Sequence, residues 1–371
     1  MAPQALPGVR PVTGDPGAAA PGRVAWIDGA RGWCIVLVVM MHSALGVGVA
    51  VGDAGWLHDV VAFAKPFRMP DFFLIAGLFA GRAIEGPWRR FFDRKVVHFI
   101  YFYALWLLVA LVVKASALGI EGPRDFATTY LWRLVQPFST TWFIQLLPLL
   151  YLATRLVRGV SSPILFAFAL AIHYVAAAFP TGGAYAMESQ ATGWTTLDGF
   201  LLFWIYFLIG VRYRTIAFRL ADWASSRPFA GVAALIAWGC FEAWATSHLW
   251  PEVYGLDLPF GLLGAGAVVV AAALAARVRA FSFLSAIGRQ SLIIYLAFFL
   301  PMAVTRTVLL KVFPGIDVGL ASLLVTVAAI VTPLVFERLS RRTPLAFLFH
   351  RPRRFAVLPL DRVGEGKVVS A

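Results

Sequence analysis

The chain has 371 residues, 60% of them hydrophobic and only 14% charged, with a formal net charge of +13. Its mean hydropathy is +0.78, whereas in a water-soluble domain about a quarter of the residues are charged. An ordinary cytosolic enzyme, a disordered protein and a disulfide scaffold are excluded. An all-α, polytopic integral membrane protein is expected instead, with room for about ten spans of about 20 residues each.

Residues 1–22, rich in Pro, Gly and Ala, read as a disordered tail. They are not a signal peptide, because the apolar run that follows is late and too long for a cleaved core. Ten apolar segments come next, at 32–52, 63–83, 96–118, 141–157, 163–180, 197–212, 229–247, 258–276, 286–311 and 318–336. They belong to one transmembrane domain over 23–338, followed by a basic cytoplasmic tail over 339–371. Loop charge orients the chain: with both ends cytoplasmic, 25 of the 32 Lys and Arg fall inside, and the outer loops at 184–198 and 248–258 carry none. The same asymmetry accounts for most of the net charge, so no nucleic-acid partner is implied. Cys34 and Cys240 lie in apolar runs and are expected to be buried thiols. Pro66, Pro70, Pro148 and Pro301 fall in or near spans, where each is expected to kink or break its helix.

Ionisable groups inside apolar spans are costly, so each is a functional candidate. In the first segment, WIDGARGWCIVLVVMMHSALG, Arg31 and His42 are eleven residues apart. On a helix that is about three turns, roughly 16 Å, with both on nearly one face. Asp28 lies one turn before Arg31, where the two can pair. A His at mid-membrane suits general-base work, since neutral imidazole is cheap to bury and titrates near neutrality. The alternative is an interfacial Arg anchor and a packed core His. No metal site is expected, because the other histidines are scattered and none pairs with His42 at ligand spacing.

Arg89, Arg90, Arg94 and Lys95 form a dense basic loop suited to phosphate groups, or else plain cytoplasmic loop charge. Lys65, Arg68 and Asp71 occupy the outer half of the second segment, where they either orient a polar acceptor or close an ion pair. Glu242 can line the same cavity or face the membrane interface. Arg306 and Lys311 can steer an anionic group or snorkel outward. Asp198 reads as an N-cap. Trp142 and Tyr295 fit packing or a sugar platform. The C-terminal run RRTPLAFLFHRPRRF fits a basic anchor along the inner leaflet.

Several of these residues carry a resemblance. D-G-x-R-G-x9-H, spanning Asp28 to His42, resembles the first-helix signature of the acyltransferase 3 family, bacterial inner-membrane enzymes that O-acylate carbohydrates. FRMPDFFLIAGLF (67–79) resembles the family's aromatic run ending in a small-Gly pair, and TWFIQLL (141–147) its Trp-Phe segment. GRQSLIIYLAFF (288–299) resembles its Gly-x-x-Ser-Leu-x-x-Tyr element. The FRMP segment leans toward the branch that includes the periplasmic glucan succinyltransferase. The resemblance implies His42 as the catalytic residue, as general base or acyl relay, with Arg31 and Asp28 in the same motif. It implies acyl-coenzyme A as co-substrate, no bound cofactor, and a carbohydrate or glycan acceptor. Where the family has Arg-x-x-Arg after the second helix, this chain has Lys95-x-x-His98, so donor binding falls to Arg89, Arg90, Arg94, Lys95 and His98. Acceptor binding falls to Arg68, Asp71, Trp142, Glu242 and Tyr295. Phe298 stands where many relatives place a His. Two other classes fit the composition: a transporter or flippase of a glycan or lipid-linked sugar, and an acyl-responsive sensor. The inverted repeats common in transporters are absent from the sequence.

Overall fold

The computed structural model describes residues 25–179, 181–182, 188–189 and 191–357. The expected disordered tail at 1–22 and the far end of the basic tail, 358–371, lie outside the described residues. What is described is almost entirely helical, apart from a two-residue antiparallel pairing of Thr181–Gly182 with Glu188–Ser189.

Each of the ten expected apolar segments falls on helix. Six helices are long and apolar enough to cross a membrane: Ala25–Val51 (α1), Trp88–Lys114, Thr195–Arg212, Pro228–Ser247, Asp257–Ala275 and Val318–Ser340. A seventh candidate arises if the pair Arg279–Arg289 and Ser291–Ala297, bent by 61°, is one broken span. The helix Trp56–Leu78 (α2) carries too many charges to qualify by apolarity, and Trp142–Leu156 and Ser162–Ala177 are shorter.

α1 is buried on nearly every side, as expected of a helix that is hydrophobic all round. It packs against α2, Asp257–Ala275, Ser282–Arg289 and Val318–Ser340. Two close crossings fix this arrangement. A Cβ on Gly32 would sit 2.1 Å from the Leu284 carbonyl oxygen, and one on Gly288 would sit 1.7 Å from that of Asp28. A Cβ on Gly77 would likewise lie 2.3 Å from the Phe207 carbonyl oxygen, and one on Gly210 would lie 2.1 Å from that of Leu74. Glycines therefore let α1 meet Ser282–Arg289, and α2 meet Thr195–Arg212, backbone to backbone, as small residues do between membrane helices. Three of the resembling motifs supply Gly32, Gly77 and Gly288.

Several expectations are corrected. The basic stretch at 89–95 is helical, the first part of Trp88–Lys114 (α3), and residues Phe92–Val97 form a π-helical turn. The stretches 119–140 and 213–227 contain helices at Pro123–Val135 (α4) and Arg214–Ser226. Of the kink or break expected at prolines, no break occurs at Pro66 or Pro70 in α2 or at Pro148 in Trp142–Leu156 (α5). The sharp bend falls at Gln290, where there is no proline. Cys34 is buried but Cys240 is exposed on its helix. Asp198 sits inside its helix rather than at the N-cap, and accepts hydrogen bonds from the Thr192 backbone N–H at 2.9 Å and hydroxyl at 2.7 Å.

Beyond Val318–Ser340 (α6), the chain turns back and packs along α3. The Tyr101 hydroxyl donates to the Phe347 carbonyl at 3.0 Å and the Trp106 indole N–H to that of Leu348 at 2.9 Å. Phe349 is buried between Trp106 and Phe336, with ring centroids 5.6 and 5.7 Å away. Glu337, at the end of α6, binds Arg341 at 2.6 Å and His350 at 2.9 Å. Its carboxylate raises the Arg341 guanidinium above its ordinary range through that hydrogen bond.

Candidate active site

Arg31 is partly exposed near the start of α1. Its guanidinium lies 4.0 Å from the Asp28 carboxylate and 4.2 Å over the Phe79 ring, just past α2. A cation over an aromatic face contributes about 0.5–1 kcal/mol at such a site. His42, three turns further on, is half-buried. Its ring centroid is 5.4 Å from that of Phe298, and it lies within electrostatic range of Arg68 and Lys114. Phe298 is thus the ring against which His42 packs.

Arg68 is 3% exposed, while Asp71 and Glu242 are wholly buried. Glu242 belongs to Pro228–Ser247 (α7), a helix with few buried positions, so its burial is specific to its place. Neither oxygen of Asp71 or Glu242 has a hydrogen-bond partner among the described residues, and the same holds for Nε and Nη1 of Arg68. Asp71 and Glu242 interact electrostatically, and Asp71 also acts on Cys34, as Arg31 does. Arg68 and Asp71 therefore lie close to the face of α1 that carries the motif, with Glu242 in electrostatic range of Asp71. A buried ion without hydrogen bonds costs several kcal/mol, which membrane proteins retain where a site needs it. Lys65 is not part of this group, since it is exposed and pairs with Glu252 at 2.6 Å.

Unwound backbone adjoins the same region. Between α4 and α5, residues 136–141 leave the helix for a coil and a single 3₁₀ turn. Backbone of this kind is tolerated at membrane depth only where protein or a cavity covers it. The Tyr295 hydroxyl donates to the Thr140 carbonyl and also interacts with the backbone of Phe143 and Ile144, tying the start of α5. Trp142 is buried near Phe73 and Phe203, its ring centroid 6.1 and 6.2 Å from theirs. Phe73 itself stacks on Phe203 at 4.8 Å. Lys114 lies with its ammonium 5.4 Å from the Phe138 ring centroid. Arg306 donates to the Gly46 carbonyl at 3.1 Å, which places it at the far end of α1, and Lys311 is exposed.

The basic stretch divides into two sets. Arg89, Arg90 and Arg94 are exposed. Lys95 and His98 are half-buried: the Lys95 ammonium lies 4.8 Å over the Tyr151 ring, and His98 packs on Phe102 at 5.0 Å. Two arginines hold this region in place. Arg155 is buried, and its guanidinium donates to the carbonyls of Ala83, Ile84 and Gly86 at 3.0, 2.6 and 2.7 Å while lying 4.2 Å over Trp88. Arg351 reaches Asp93 from the C-terminal segment. In the sequence, Arg155 is one of the 25 inner basic residues and nothing in its spacing sets it apart from loop charge. Asp93, a single acid among four basic residues, is the one sequence signal for the contact with Arg351.

A family model described as an acyltransferase domain, the acyltransferase 3 model, matches residues 24–338. Among curated proteins, the chain is similar to the inner membrane protein YcfT of Escherichia coli strain K12, with 23% identity over 168 residues. That alignment covers 39% of this chain and 47% of the relative, so the chain spans about half the length of the curated protein it matches. No solved structure matches. With the family model covering most of the chain and several helices long and apolar enough to cross a membrane, the protein belongs to the acyltransferase 3 family and is a multi-pass membrane protein.

Proposed function

We propose that the protein moves a small acyl group, of acetyl or succinyl type, from acyl-coenzyme A to a hydroxyl of a carbohydrate or glycan. It works in the bacterial inner membrane, crossing about ten times with both ends in the cytoplasm, as loop charge and span length together favour. The donor enters along the basic helix at 89–98. Arg89, Arg90 and Arg94 meet its phosphates, and Lys95 and His98 line the inner side. The acceptor comes from the opposite face and is held by Arg68, Asp71 and Glu242, with Trp142 and Tyr295 as the aromatic wall. No metal and no bound cofactor take part.

The observation that carries this reading is the position of His42. It sits half-buried on the motif helix, beside Phe298 and within electrostatic range of Arg68. There His42 takes the acceptor's hydroxyl proton as the oxygen attacks the thioester carbonyl. An ester bond forms, the C–S bond breaks, and the proton ends on the coenzyme A thiol. A relay through acylated His42 gives the same balance in two steps. Arg31, kept in place by Asp28 and Phe79, supplies the fixed positive charge at the donor end of the helix. Mass spectrometry of envelope glycans from cells with and without the gene tests the function. A lost ester mass of acetyl or succinyl size is expected, and an unchanged glycan spectrum would sink the reading.

A further inference from the structure

The π-helical turn Phe92–Val97 is an uncommon backbone state: i→i+5 turns are rare, occur mostly as single turns inside α-helices, and are frequent at functional sites. In this turn the His98 backbone N–H bonds the Asp93 carbonyl, five residues back. That same carbonyl also accepts from Nη1 of Arg351 at 2.9 Å. Nη2 of Arg351 donates to both oxygens of the Asp93 carboxylate at 2.8 Å, and the Val357 backbone N–H donates to one of them at 2.9 Å. The Asp93 and Arg351 side chains are only 11% and 12% exposed. One guanidinium from the C-terminal segment thus grips both the side chain and the carbonyl on which the π turn is built.

The grip has a rigid base. Glu337 on α6 anchors Arg341 and His350 on either side of the reversal, and Tyr101 and Trp106 of α3 bind the carbonyls of Phe347 and Leu348. Arg351 follows His350 directly, so its reach to Asp93 is set by contacts on two separate helices. The π turn adds one residue to the helical register. Beyond it, Lys95 lies over Tyr151 and His98 against Phe102, while Arg89, Arg90 and Arg94 stay exposed.

We propose that Arg351 and Asp93 are positioning residues for acyl transfer: the C-terminal segment 341–357 clamps the π turn and so holds Lys95 and His98 in the register that receives the acyl-coenzyme A donor. The inference rests on the donor reading given above and assigns no direct donor contact to Arg351 or Asp93. It makes the C-terminal segment part of the enzyme's donor end.

Equilibrium binding of acetyl-coenzyme A to the purified full chain in nanodiscs tests it, together with hydrogen exchange over 92–98 and thermal midpoints. Arg351→Lys keeps the charge but cannot span carbonyl and carboxylate together. It is expected to weaken acetyl-coenzyme A binding by about tenfold or more, the scale of one lost charge-assisted hydrogen bond. Exchange over 92–98 is expected to rise and the thermal midpoint to stay near that of the wild type. A purely structural contact would lower the midpoint and leave affinity alone, and that result overturns the proposal. Should Arg351→Lys fail to fold, Asp93→Asn, which keeps the carbonyl and the side-chain shape, is held to the same criteria. The combined variant Arg89→Ala, Arg90→Ala and Arg94→Ala tests the donor reading separately. If it weakens binding while Arg351→Lys does not, the clamp alone is wrong. If wild-type protein does not bind acetyl-coenzyme A at all, both readings fall.

Discussion

Arg68, Asp71 and Glu242 are charges that a stability-optimised membrane protein would not keep. All three are buried, and atoms of each have no hydrogen-bond partner among the described residues. Removing such a charge relieves desolvation, so a neutral isostere stabilises the fold while damaging a site that uses the charge. Glu242→Gln is therefore expected to raise the thermal midpoint by roughly 2 °C or more. The same variant is expected to cut acyl transfer at least about tenfold, in line with a lost charged hydrogen bond. Thermal melts and turnover on one preparation check both numbers. A lower midpoint with intact turnover would make Glu242 a structural ion. At His42 the neighbouring ring is the matter of interest. Phe298→Leu removes the aromatic face 5.4 Å from His42 and is expected to lower turnover severalfold without changing expression. Equal turnover would show that the ring does not orient the imidazole.

At the scale of elements, the motifs serve packing as much as chemistry. In the D-G-x-R-G signature, Arg31 faces Phe79, while Gly32 makes room for the Leu284 carbonyl. Gly288 of the GRQS element returns the favour by admitting the Asp28 carbonyl. Gly288→Ala would put a Cβ 1.7 Å from that oxygen, so the helices must part. A loss of about 3 kcal/mol or more is expected, at the upper end of overpacking costs. Gly239→Ala on α7 meets nothing within 4 Å and is expected to be neutral. Fluorescence-detected size exclusion after heating compares the two, and equal melting would refute the close crossing. This scale also marks where sequence reading succeeds and where it stops. Long apolar runs such as 318–336 announce their helices through composition alone. The helices Pro123–Val135 and Arg214–Ser226 do not, because their polar and apolar residues balance. The π turn at Phe92–Val97 has no local signal either. Its Asp93 is held by Arg351, which lies 258 positions away.

For the whole molecule, the apolar composition and the loop charges predict sidedness. Arg31 meets Phe79 at one end of α1, while the end of α1 at Gly46 binds Arg306. His42 lies between these ends, within electrostatic range of Arg68. Candidate residues in the first two segments were legible because an isolated charge in an apolar run stands out. Their grouping with Glu242, far along the chain, was not, since no sequence spacing encodes contact between α2 and α7. Sidedness itself is open to labelling. In a background lacking Cys34 and Cys240, a membrane-impermeant maleimide is expected to modify Glu252→Cys in intact cells and to spare Arg90→Cys. The opposite pattern would invert the topology and with it the directions of donor and acceptor entry.

The central claim is that acyl transfer runs through His42. Its most direct test is turnover of acetyl-coenzyme A by purified protein in nanodiscs, supplied with envelope glycan from cells lacking the gene. The account predicts release of free coenzyme A with ester formation on the glycan. In His42→Ala, folded by its thermal midpoint, that rate should fall by about 10²-fold or more, the usual scale of a lost general base. Full turnover by His42→Ala would contradict the account.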